Sequence, residues 1–117
     1  MKEKHLEMAI NWAKKRATIS LKSISEGYED PTICINKDTK EEVQADVSFV
    51  THGGAKHYSV IALKDENPKK IVSKWKLLSF LAAMKSGKLH LLTPTGHKAF
   101  TERLVNKHNI NAVIHPL

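Results

Sequence analysis

The chain has 117 residues, 41% hydrophobic and 26% charged, with a formal net charge of +7. That length fits one domain with one core, and no apolar run approaches the roughly 20 residues of a membrane span. A single cysteine, Cys34, excludes an internal disulfide and a cysteine-based zinc site, and suits a reducing cytoplasm.

The opening stretch, MKEKHLEMAINWAKKRATIS, lacks the uninterrupted apolar centre and cleavage site of a secretory signal. Residues Met1 to Glu26 read instead as one long helix. Leu6, Ile10, Ala13, Ala17, Leu21 and Ile24 recur at helical spacing, and Gly27 supplies a stop. Glu3 and Glu7 lie one turn apart beside this stripe, and Lys14, Lys15 and Arg16 form a basic knot. Trp12, off the stripe, is expected to pack on a neighbour. A turn at Tyr28–Pro31 leads to a short strand, Thr32–Asn36, and a polar hairpin turn, Lys37–Lys40.

Val43–Val50 and His57–Lys64 are rich in β-branched and aromatic residues and flank Gly53-Gly54, so they predict an antiparallel pair. Alternation sets Asp46 on a face with Gln44 and Ser48. On the second arm Tyr58, Val60, Ala62 and Lys64 share one face, while Ser59, Ile61 and Leu63 share the other. Asn67 then caps a helix that Pro68 opens, with Ile71, Val72, Trp75, Leu78, Leu81 and Ala82 inward as far as about Ser86. Gly87 stops it. Leu89–Leu92 is a short strand, a third helix runs to about His108, and Ala112–His115 is a last strand. A strand, helix and strand in this order predict a right-handed parallel crossover. The expectation is a single α/β domain over residues 1–117: a mixed sheet with flanking helices, in the order α-β-β-β-α-β-α-β.

With Asp46 on the second strand and Ala62-Leu63-Lys64 closing the third, this order resembles the restriction-endonuclease-like superfamily, the PD-(D/E)XK nucleases. The resemblance implies nucleic acid as partner, DNA more than RNA, and Mg²⁺ or Mn²⁺ as cofactor if the chain is an active endonuclease. Asp46 and the carbonyl of Leu63 would hold the metal, and Lys64 would face the attacking water. Ala62 replaces the motif's second carboxylate, and Ala45 stands where many members carry proline; the resemblance offers Glu7, on the first helix, as the missing acid. A hard cation needs oxygen ligands, and two carboxylates hold it far better than one. The motif is incomplete, so a second reading stands beside the first. It is a non-catalytic protein-interaction module, or a homodimer, on the same scaffold and without cofactor. The plain alternative for Asp46 and Lys64 is an ion pair at the rim of a sheet.

Charge adds a separate expectation. Asn67 to Thr101 contains no acid but seven lysines, and phosphate contacts are assigned to Lys69, Lys70 and Lys74, with Lys14, Lys15 and Arg16 as a second patch. A solvated helix face explains the same lysines equally well. His52 and His57 bracket the glycine turn and give a third reading, an unrelated α/β enzyme with its site there. His90, His97, His108 and His115 have no partner legible in the sequence, and Cys34 is expected to be packed rather than nucleophilic.

Overall fold

The computed structural model describes residues 2–25, 27–36, 40–64 and 67–117. In chain order the elements are α1 (Lys2–Lys14), β1 (Ser20–Ser23), β2 (Cys34–Ile35), β3 (Glu42–Val43), β4 (Val47–Val50), β5 (Lys56–Ile61), α2 (Pro68–Met84), β6 (Leu89–Thr93), α3 (Lys98–His108) and β7 (Ala112–Pro116). Five strands form a mixed sheet in the order β1-β4-β5-β6-β7, while β2 and β3 make a separate antiparallel pair. β4 runs antiparallel between β1 and β5; β5, β6 and β7 run parallel.

Alternation along β5 sorts the core into two layers, as its sequence predicts. Tyr58, Val60 and Ala62 pack with Ile71, Trp75, Leu78 and Ala82 of α2 and with Leu104 of α3. Ile61 packs on the other side, with Val47, Phe49 and Leu92, against Leu6, Ala9, Ile10 and Ala13 of α1. One face of the sheet therefore carries two helices and the other carries one. Among the described residues, no helix is long and apolar enough to cross a membrane.

The first helix is shorter than its spacing predicts. Ala17 N–H closes the last turn on Ala13 O, and the N–H groups of Thr18 and Ile19 then both reach Val50 O. The β-branched pair Thr18-Ile19 disfavours helix and the chain turns into β1, where Leu21 pairs with Phe49. β1 therefore supplies the first strand of the meander, the place expected for Thr32–Asn36, whose Cys34 and Ile35 pair with β3 in the small sheet. The long arm Val43–Val50 is also broken at 44–46, and β5 ends at Ile61 rather than Lys64. Side chains add to the backbone bonds at this break. Asp46 Oδ2 accepts the Ile61 N–H at 2.8 Å, and Gln44 Nε2 donates to Pro31 O at 2.9 Å.

The start and stop signals of α2 hold. Asn67 Oδ1 accepts from Lys69 N–H at 3.0 Å, and Pro68 occupies the first turn. Gly87 has a stricter role than a helix stop, because a Cβ there would land on the Lys56 carbonyl. Lys37–Thr39 of the expected hairpin turn, Glu26, Asp65, Glu66 and the side chain of Glu3 lie outside the described residues.

Candidate functional site

Because β5, β6 and β7 run parallel, the sheet has an end where they begin and an end where they finish. Asp46, at the start of antiparallel β4, and Leu63 and Lys64, just past β5, belong to the finishing end. Asp46 is 2% exposed, with its backbone N–H on Ser59 O and its carbonyl accepting from Ile24 N–H. Lys64 is exposed, and its backbone N–H donates to His97 Nδ1 at 2.9 Å. Leu63 packs beside the α1 layer. Glu7 is exposed on α1, where it borders a groove of about 360 Å³ with Asn11, Lys14, Ser25 and Tyr28. The β5 row ending in Ala62 faces α2, whereas Glu7 rides on the helix of the opposite layer. Among the described residues, no group of three or more His, Cys, Asp or Glu is placed to hold a metal ion.

The lysines divide in a way the sequence cannot show. Lys70 and Lys74 share a groove with Glu41, Glu42 and Val43, so a run free of acid in sequence has acids beside it in space. Lys69 is exposed in the first turn of α2. The basic knot also splits. Lys14 Nζ lies 5.8 Å from the Tyr28 ring centre, and Arg16 lies 4.1 Å from that of Trp12. Lys15 is exposed between them.

A different basic surface forms where β5, β6 and β7 begin. Lys56 N–H donates to Lys85 O, and Tyr58 N–H to Lys88 O, which ties the turn after α2 to the start of β5. Leu89 pairs with Ala112, so the last turn of α3, with Lys107, returns to the same end. Segments 14–20, 50–57, 85–90 and 106–112 meet here, and none contains Asp or Glu. Cations at helix C-termini also complement the macrodipole, a structural reason for some of these lysines.

A row of three histidines crosses the α1 face of the sheet from this end. His57 begins in β5, His90 lies in β6 and His115 in β7, each two residues further along than the position beside its neighbour. His57 Nδ1 is 3.1 Å from His90 Nε2, and His90 Nδ1 is 3.0 Å from His115 Nε2. Aromatic rings cover the row. Phe49 stacks on His57 with ring centres 4.9 Å apart, and Trp12 lies 5.1 Å from His90 and 4.9 Å from His115.

The proton positions in this row follow from one backbone bond. Lys88 N–H donates to His57 Nδ1 at 3.2 Å, so that nitrogen carries a lone pair and His57 is protonated on Nε2, facing Thr51 Oγ1 at 3.5 Å. His90 Nε2 can bond to that nitrogen only as a donor, sharing its single lone pair with Lys88 N–H. A neutral His90 therefore accepts on Nδ1, and His115 Nε2 donates to it. His90 is neutral, because burial first, then His115, His57, Arg16 and Lys88, push its pKa down to about 3. Burial, helped by Lys88, lowers His57; burial, helped by Arg16, lowers His115. The result is a one-directional chain of Nε2–H imidazoles. The Ser59 hydroxyl, on the residue paired in register with His90, is buried with no hydrogen-bond partner among the described residues.

Strand alternation places His57 on the face of Ser59 and Ile61, but the registers of β5 with β6 and of β6 with β7 are long-range facts that no local pattern carries. No family model, curated protein or solved structure matches the chain.

Proposed function

We propose that this domain binds nucleic acid, DNA in the first place, through the end of the sheet where β5, β6 and β7 begin. The observation that supports it is the meeting there of Arg16, Lys56, Lys85, Lys88 and Lys107, from separate segments, in stretches that carry no acid. Phosphate affinity comes mainly from such charge, through release of condensed counterions. Lys70 and Lys74, with Glu41 and Glu42 beside them, suit that task less well. With the β2–β3 pair set aside, the elements of the main sheet run α-β-β-β-α-β-α-β, which supports a restriction-endonuclease-like reading of the scaffold. Cleavage with Mg²⁺ or Mn²⁺ held at Asp46 would add to this binding and does not depend on it.

The binding reading is tested by fluorescence anisotropy on mixed-sequence duplex DNA, single-stranded DNA and RNA over a range of salt. Four or five neutralised phosphates give a log–log salt slope near about −4, and Lys85→Glu with Lys88→Glu should reduce its magnitude by about 2. Lys69→Glu with Lys70→Glu should leave it nearly unchanged. The opposite pattern would move the interface to the start of α2, and no binding in low salt would end the proposal.

A further inference from the structure

α2 is apolar on two sides. Ile71, Trp75, Leu78 and Ala82 are buried in the core, yet Phe80 and Met84 on its outer side are 63% and 64% exposed. A helix that packs against a core on one face only should be polar on the other. Beside this outer face stands the small β2–β3 sheet, with Ile35 59% exposed. Between them runs an open groove of about 690 Å³, with Cys34 and Ile35 on one wall and Lys76, Leu77, Phe80 and Met84 on the other. A second depression of about 330 Å³ lies on the far flank of Phe80, next to Asn109 and Ile110, and Lys76 borders it too. Phe80 is thus a ridge between two hollows, and among the described residues no acid lines either one. Scattered exposed apolar residues are ordinary on a surface; this contiguous patch is not.

Charge selects the occupant. Lys76 borders both hollows, and the chain carries +7 overall. A second copy of this chain would bring like charge against like. Nucleic acid would find one lysine among mostly apolar lining residues, too few cations for a phosphate track. We propose that the groove between β2 and α2 docks a short acidic segment of a partner protein. The segment seats a large apolar side chain against Phe80 and Met84 and sets a carboxylate on Lys76. Aromatic and aliphatic anchors in a shallow pocket, with a charged rim that sets orientation, are the usual source of affinity at such surfaces.

The test is selection of a random peptide-display library on the immobilised full chain, counter-selected on the Phe80→Asp variant. Phe80, Lys76 and Met84 are exposed, so Phe80→Asp and Lys76→Glu should fold, as circular dichroism and the melting temperature would verify. The expected result is enrichment of peptides that place Leu, Phe, Ile or Trp beside Asp or Glu. A synthetic copy of one such peptide should bind the unmutated chain and lose about tenfold in affinity to either variant. Exchanging the peptide's acid for lysine should restore binding to Lys76→Glu. Enrichment independent of Phe80, or of basic peptides, would overturn the proposal. So would displacement of the peptide by single-stranded DNA, which assigns the groove to nucleic acid, or a dimer in sedimentation that Phe80→Asp dissolves, which assigns it to a second copy.

Discussion

Acidification should weaken this fold through His90. The ring is nine-tenths buried, and its pKa is pushed from 6.5 down to about 3. The unfolded chain takes up a proton near pH 6.5 and the folded one does not. Between those two values the unfolded state binds more protons, and stability is lost as pH falls. The stability attached to the neutral ring is complete above pH 6.5 and declines steadily below it. At about 1.36 kcal/mol per pH unit, the fall from pH 7 to pH 5 has a ceiling of about 2 kcal/mol from this one residue. Water at the open ends of the row screens part of that, so we expect about 1–2 kcal/mol, or a drop in Tm of roughly 4–8 °C. His57 and His115 shift in the same direction and add to the fall. Urea unfolding followed by circular dichroism at pH 7, 6 and 5 measures it, with His90→Gln as the control. Glutamine can donate to His57 Nδ1 and accept from His115 Nε2–H yet does not titrate, so the variant should keep most of its stability at pH 7 and show a flatter slope. An unchanged slope in His90→Gln would refute the assignment of the proton to His90.

The hydrogen-bond directions set by Lys88 N–H predict that ¹⁵N NMR at neutral pH finds His57, His90 and His115 all as Nε2–H tautomers; an Nδ1–H form at His57 would refute that proton order. Asp46→Ala removes the acceptor of the buried Ile61 N–H and should cost about 1–3 kcal/mol in chemical denaturation, whereas Asp46→Asn, which keeps a carbonyl oxygen, should recover most of it. The same Asp46→Asn variant separates architecture from metal chemistry. If Asp46 binds Mg²⁺ or Mn²⁺, either ion raises Tm or supports oligonucleotide cleavage only in the unmutated chain, and an equal effect on both would dismiss the site. Gly87→Ala should destabilise by about 2–4 kcal/mol, because the backbone of Lys56 cannot yield to a methyl group as a flexible side chain would.

Signals confined to a few residues were legible in advance. Asn67-Pro68 marked the start of α2, Gly53-Gly54 marked the hairpin turn, and alternation along β5 separated Tyr58 and Val60 from Ile61. The failures came where a distant partner overrode local spacing. Ala17, Leu21 and Ile24 continue the stripe of α1 on paper, yet Val50 O captures the chain at Thr18 and Ile19. Thr32–Asn36 has strand character, but its partner is β3 rather than the main sheet. The same limit applies to function. The lysines of α2 could be counted from the sequence, while the placement of Glu41 and Glu42 beside Lys70 and Lys74 could not, and the histidine row depends on two parallel registers.

Gly87 has a consequence for the proposed nucleic-acid surface as well as for folding. Lacking a side chain, it lets the turn after α2 lie directly on the backbone of Lys56, where hydrogen bonds from Lys56, Tyr58 and Lys88 pin it to the central strand. The backbones of Lys85 and Lys88 are therefore anchored before any ligand arrives. A phosphate chain meeting them need order only the lysine side chains, not a loop, and that saving appears directly as affinity. Partial loosening of this turn would leave the net charge untouched and the electrostatic attraction intact, but complexes would dissociate faster.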